Sequence, residues 1–319
     1  MEQYSLNIGI VFAGQGSQSV GMLGELAAAW PEIRRTFDTA SEALGEDLWS
    51  LAQTGPEERL NDTRITQPAL LAAGVAVWRV WQQAGGPAPV MMAGHSLGEY
   101  TALVAADALD FADAVRLVAR RGALMQAAVP AGEGAMAALL GLEDAVVAEV
   151  CAAAAGEQVV EPVNFNAPGQ VVIAGHAEAV ERAMAAAREA GARKAVVLPV
   201  SVPSHCALMR EAAAELAAAL EAVAIRPPRV PVIHNVDAAT RSEPAAIRQA
   251  LAAQLHQPVR WTECMQRLIA TPVSLVVEAS PGRVLTGLAK RIDRAVPAAA
   301  VYDPASLTAA LEQTQEARA

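Results

Sequence analysis

No stretch of this chain is apolar for long enough to cross a bilayer. Its longest hydrophobic runs are broken by Arg, Gln, Glu or Gly well short of the roughly 20 residues that a spanning helix needs. Positive charge is scarce as well: 24 Lys and Arg stand against 34 Asp and Glu, for a formal net charge of −10. That balance argues against a nucleic-acid partner, which requires a basic face. It leaves room for a small anionic substrate, which needs only one local cation. Only three cysteines occur, Cys151, Cys206 and Cys264. They are too far apart for metal-ligand spacing and read as free buried thiols in a reducing compartment, so no metal site is expected. The first residues carry Glu2 and no basic run, unlike a secretory signal. The expected location is the cytoplasm, with no membrane partner.

What is present is a globular composition, 53% hydrophobic and 18% charged over 319 residues, enough for a large core with a smaller inserted unit. Asn7 to Phe12 reads as a buried strand, followed by a Gly-rich turn and a helix from about Val20 to Leu44. A second helix is expected over Pro68 to Gln83 and a second strand over Pro89 to Ala93, with helices following from about Leu97 and Phe111. This alternation predicts a parallel sheet covered by helices on both faces. The pattern then changes. Strands at Gly134 to Leu140, Val159 to Asn166, Gln170 to Ala174 and Lys194 to Val200 enclose helices at Glu143 to Ala155 and Ala177 to Ala190. That β-α-β-β-α-β order is ferredoxin-like, and Pro168-Gly169 supplies the central turn. Alternation returns with strands near Val230 to Ile233 and Val273 to Glu278, and the tail past Asp303 reads as a helix with a polar end. The expected fold class is α/β: an α/β-hydrolase-like parallel-sheet large domain over 1–128 and 202–319, with an inserted ferredoxin-like α+β domain over 129–201.

Chemistry is concentrated at Gly94-His95-Ser96-Leu97-Gly98, a G-x-S-x-G elbow placed between a strand and a helix. The glycines let the chain turn sharply enough to expose the serine hydroxyl, and the helix N-terminus favours negative charge developing there. Such a serine needs a base, and the chain has five histidines. His95 adjoins the nucleophile and projects elsewhere, so it reads as structural. His176 begins a helix, as a cap or an exposed residue. His234 ends a strand and His256 lies in a helix, neither in a distinguishing context. His205, in Val202-Pro203-Ser204-His205, sits just beyond the insert, at a junction able to face the large domain. In the helix from Phe111, Arg121 lies four residues from both Leu117 and Met125, on the apolar stripe, whereas Arg116 and Arg120 point to solvent. A guanidinium on a buried face needs an anion. An internal Asp or Glu and a substrate carboxylate are both open.

With these residues in place, the chain resembles the malonyl-CoA:acyl carrier protein transacylases of bacterial fatty-acid synthesis, and is similar to polyketide-synthase acyltransferase domains. The resemblance runs from about Ile8 to Asp303. It rests on Gly14-Gln15-Gly16-Ser17-Gln18, Thr66-Gln67-Pro68-Ala69, the elbow with Glu99-Tyr100, Arg121-Gly122, Asn164 to Gln170, and Val202 to His205. It implies Ser96 as nucleophile and His205 as general base, with an oxyanion hole from the backbone N–H groups of Gln15 and Leu97. It further implies Arg121 on the malonyl carboxylate, Gln67 lining the acyl pocket, Asn166 binding substrate, and His205 oriented by backbone carbonyls near Gln254. No cofactor is implied: malonyl-CoA is a substrate, phosphopantetheine belongs to the acyl carrier protein partner, and the enzyme is a monomer. Three departures stand out. Ala13 replaces a usual Pro, which should loosen the turn slightly. Ser280-Pro281-Gly282 replaces Gly-Pro-Gly. Ser204 stands where malonyl-selective polyketide relatives carry Phe. The alternatives are a polyketide-type acyltransferase, a serine thioesterase or esterase, and an inactive carrier-docking subunit.

Overall fold

The computed structural model describes residues 7–200, 202–271 and 273–316. The reading of the N-terminal segment, position 201 at the expected domain boundary, and the last residues of the polar tail lie outside these. Among the described residues nine strands form two sheets. In chain order they are β1 (Ile8–Phe12), β2 (Pro89–Gly94), β3 (Gly134–Leu140), β4 (Val160–Ala167), β5 (Gln170–His176), β6 (Lys194–Val197), β7 (Val232–Ile233), β8 (Leu275–Ala279) and β9 (Ala298–Val301). One sheet has the order β7-β2-β1-β8-β9 with every pairing parallel. The other has the order β4-β5-β3-β6 with every pairing antiparallel. With the Asp144–Ala155 and Ala177–Glu189 helices between its strands, this second sheet is the ferredoxin-like unit.

The sequence of β1 explains its central place. All five of its residues are buried; Ile8, Ile10 and Phe12 enter the core on one face and Val11 enters that on the other. A strand apolar on both faces must be covered twice, which parallel sheets achieve with crossover helices. Gly9 has a packing reason of its own: a Cβ there would meet Leu268 Cδ2 at 2.5 Å.

Four departures from the expected element boundaries have a local physical reason or a consequence for the site. The helix anticipated from Val20 to Leu44 is two helices, Gly24–Ala29 and Pro31–Leu44. Pro31 forces the break, since its ring disfavours helical backbone at Trp30, which is extended (φ −129°, ψ 99°). The next long helix begins at Thr63 rather than Pro68, because the Asp62 side chain accepts from the Arg64 N–H and caps it there. Pro68 then lies inside the helix and costs one hydrogen bond, to the carbonyl of Arg64, an exposed residue. β6 stops at Val197, and Leu198 and Val200 turn into the wall of a cleft. β7 is only Val232–Ile233 because Pro231 precedes it. The cleft lies where the two sheets approach; near it β4 is bonded to the segment before the Trp261–Ala270 helix, from Phe165 N–H to the Val259 carbonyl (3.0 Å) and from Val259 N–H to the Val163 carbonyl (2.8 Å).

Candidate active site

β2 ends at Gly94 and the Gly98–Ala105 helix begins four residues later. Ser96, between them, has φ +52°, a left-handed conformation that costs a non-glycine residue about 1–3 kcal/mol. The flanking glycines make this turn possible. A Cβ on Gly94 would come 1.9 Å from the Gly98 carbonyl carbon, and one on Gly98 would come 2.1 Å from the Phe12 oxygen. Asn235 clamps the turn, accepting from the Ser96 N–H (2.7 Å) and donating from Nδ2 to the Gly94 carbonyl (2.7 Å).

His205 meets this serine. Its Nε2 is 2.7 Å from Ser96 Oγ and its Nδ1 is 2.6 Å from the backbone oxygen of Gln254. A carbonyl only accepts, so Nδ1 carries the proton and Nε2 is free to take one from the hydroxyl. His205 also has a positive φ, +65°, and its N–H is held by the Leu255 carbonyl (3.1 Å). Burial first, and then the Arg121 charge, push its imidazole down to about 3. The resident form is therefore neutral, as a base requires.

Arg121 is 1% exposed, and its partners are neutral. Nη1 donates to Gln67 Oε1 (2.9 Å); Nη2 donates to Gln254 Oε1 (3.1 Å) and to Ser96 Oγ (3.3 Å). Its buried Nε–H has no partner among the described residues, nor does the guanidinium form an ion pair there. Burial lowers its pKa, but a guanidinium remains cationic. Of the two partners left open by the sequence, an internal carboxylate is absent. Arg116 and Arg120 do face solvent, paired with Asp113 and Glu215.

The Gly14–Gly16 turn packs over the elbow: a Cβ on Gly14 would lie 2.5 Å from the His95 oxygen and 3.6 Å from Leu97 N. The backbone N–H groups of Gln15 and Leu97 have no hydrogen-bond partner among the described residues, and both residues line the cleft with Ser96, Arg121 and His205. The cleft encloses about 600 Å³, the space at its mouth included.

Two expected residues stand elsewhere. Gln67 is fully buried behind Arg121 and braces it, with Nε2 on Met125 Sδ (3.2 Å); Met125 forms the wall in its place. Asn166 accepts from His95 Nε2 (2.7 Å), while Asn164, two residues earlier on β4, lines the cleft. His95, part-buried beside Trp261 with ring centroids 5.3 Å apart, also lines the cleft next to Ser96. His176 accepts from the Val159 N–H (2.9 Å) instead of capping its helix. At Ala13, where a looser turn was expected, the N–H donates to Ser280 Oγ (2.7 Å, buried). Two of the three departures from the family pattern are thus bonded to each other. All three cysteines are free and buried, and among the described residues no group of three His, Cys, Asp or Glu side chains could hold a metal ion.

A buried network that the sequence did not reveal completes the site. Glu99, wholly buried, accepts from His234 Nδ1 (2.7 Å), Asn235 N–H (2.9 Å) and Gln254 Nε2 (2.9 Å). Gln254 Nε2 also donates to the Ser96 carbonyl (2.9 Å). One carboxylate thus ties the elbow, the guanidinium and the imidazole's carbonyl together.

Residues 10–308 match the model of the acyl transferase domain. The malonyl CoA-acyl carrier protein transacylase of Salmonella typhimurium is 59% identical, over 95% of this chain and 98% of its own. A solved acyl carrier protein S-malonyltransferase from Vibrio cholerae is 57% identical with a TM-score of 0.93, covering 95% of this chain and 99% of that one. A malonyl-transacylase solved in complex with its type II PKS acyl-carrier protein is 56% identical with a TM-score of 0.95, covering 96% and 99%. The chain belongs to the acyl transferase domain family, among the malonyl CoA-acyl carrier protein transacylases.

Proposed function

We propose that this enzyme moves a malonyl group from malonyl-CoA to the phosphopantetheine thiol of acyl carrier protein through a malonyl ester on Ser96. The observation that carries the reading is Arg121, a buried cation with no carboxylate of its own, within 3.3 Å of the nucleophilic hydroxyl. A malonyl carboxylate supplies the missing anion and so sets the thioester carbon against Ser96 Oγ.

In the first half-reaction Nε2 of His205 takes the Ser96 proton as Oγ bonds to the thioester carbon. The Gln15 and Leu97 N–H groups hold the oxyanion, each worth about 3–4 kcal/mol. The C–S bond then breaks, and the coenzyme A thiolate leaves with the proton from His205. The carrier thiol reverses these steps. Thioester and ester are close in energy, so the exchange is reversible and calls for no cofactor. Gln254 presents the carbonyl that orients His205, and Asn164 rather than Asn166 faces the substrate.

On this reading the domains are 1–128 with 202–319, and 129–201, and the enzyme is a cytoplasmic monomer without nucleic-acid or membrane partners. No described helix is long and apolar enough to cross a membrane. The relative bound to a type II PKS carrier supports a polyketide carrier as a second acceptor. Incubation with labelled malonyl-CoA and holo-carriers of both kinds tests the proposal: label should reach the carrier thiol. Release of free malonate with none on either carrier would favour a thioesterase.

A further inference from the structure

The parallel pairing of β1 with β8 ends at Val11 opposite Glu278, and Ala13 and Ser280 each lie two residues beyond. Past the end of the ladder a side chain continues the contact, the Ala13 N–H donating to Ser280 Oγ across 2.7 Å. Ser280 is 1% exposed and Ala13 is 7% exposed, so no water replaces this bond easily. Ser280 lies outside the cleft lining. Ala13 is the last residue before the Gly14–Gly16 turn, and Gln15 follows two positions on. Within the turn Ser17 Oγ donates to the Gly14 carbonyl (2.9 Å) and Gly16 N–H to Gln18 Oε1 (2.8 Å), and Gln18 Nε2 in turn donates to Asn61 Oδ1 (2.8 Å). Where the chain leaves the sheet, the His95 N–H holds the Phe12 carbonyl (2.9 Å) from the β2 side and the Ser280 hydroxyl holds the Ala13 N–H from the β8 side.

We propose that Ser280 is a positioning residue for the transfer reaction, holding through Ala13 the turn that aims the Gln15 N–H at the oxyanion. The proposal rests on the assignment of Gln15 to the oxyanion hole. A proline at position 13 would have no N–H to satisfy and would fix φ by its ring. Its Cδ would also fall where the hydroxyl now accepts. Ala13 with Ser280 is therefore one self-consistent solution, and a proline at the first position with no hydroxyl at the second is another. The mixed pairs are not.

The test is a double-mutant cycle of Ser280→Ala and Ala13→Pro, read as kcat and KM for malonyl-CoA with thermal melting alongside. Removing one oxyanion donor outright costs about 100- to 1,000-fold, and a displaced donor costs part of that. Each single variant should lose about tenfold or more in kcat with KM within about twofold of the parent, and the double variant should recover to within about threefold. If a single variant does not fold, recovery of folding and kcat in the double variant still supports the pairing. A double variant no better than the worse single, or Ser280→Ala with parental kcat, overturns it. A parent that forms no ester at Ser96 would instead refute the underlying mechanism, separating the two failures.

Discussion

Nη2 of Arg121 donates to the Ser96 hydroxyl at 3.3 Å while the same nitrogen holds Gln254 Oε1 at 3.1 Å. The cation is thus aimed at the nucleophile by a neutral amide, and its charge is left for the substrate. Arg121→Ala should lower malonyl transfer by roughly 30-fold or more in kcat/KM, since truncating one member of a buried charge pair costs about 2–5 kcal/mol. Transfer of acetyl, which has no carboxylate, should fall far less. Competition between malonyl-CoA and acetyl-CoA reads the ratio directly, and an unchanged ratio would count against the carboxylate clamp.

The low pKa of His205 sets the acid behaviour of the enzyme. With acetyl-CoA as donor, so that no substrate carboxylate titrates, acylation should stay flat from pH 8 to about pH 5, far below the ordinary histidine limb near 6.5. Arg121→Ala removes one lowering cause and should move the limb upward. The same group contributes to stability. Its folded pKa is depressed, so the unfolded chain binds the extra proton. The contribution is present above pH 6.5 and is lost as pH falls toward about 3. A pH–rate profile breaking near 6.5 would show that His205 titrates normally.

Glu99 faces three buried donors. Glu99→Ala leaves His234 Nδ1 and the Asn235 N–H without their acceptor, with Gln254 Nε2 keeping only the Ser96 carbonyl and Asn235 Oδ1, and should cost about 3–5 kcal/mol in urea unfolding. A loss below about 1 kcal/mol would mean that the network relaxes without it.

Two glycine substitutions should act in opposite directions. Gly98→Ala drives a Cβ into the Phe12 carbonyl and should cost about 3 kcal/mol or more, beyond ordinary overpacking because backbone cannot rotate away. Gly287→Ala, in the exposed middle of the Val284–Ile292 helix with no atom within 4 Å of the new Cβ, should add about 1 kcal/mol. Thermal melting measures both, and equal shifts would contradict the account of the elbow.

What was legible in the sequence was whatever local sterics or periodicity enforce. Ser96 stood out because two glycines four residues apart have their own reason to lack a side chain, and Arg121 because its spacing from Leu117 and Met125 puts it on a buried stripe. His205 was one histidine among five until the resemblance singled it out, since its distance from Ser96 is a product of tertiary folding. The Glu99 network left no local trace: its bonds to His234, Asn235 and Gln254 span 135, 136 and 155 residues. Gln67 was expected on the cleft wall because a residue type does not reveal whether it touches substrate or the group that does. The bond between Ala13 and Ser280 is invisible for the same reason as the Glu99 network, since 267 residues separate its partners.

The most direct test of the central claim is peptide mapping after a brief mix with labelled malonyl-CoA, followed by a chase with holo-carrier. The account requires label on the peptide containing Ser96, its transfer to the carrier thiol during the chase, and no labelled peptide in Ser96→Ala. Carrier labelled at the parental rate by Ser96→Ala would contradict it.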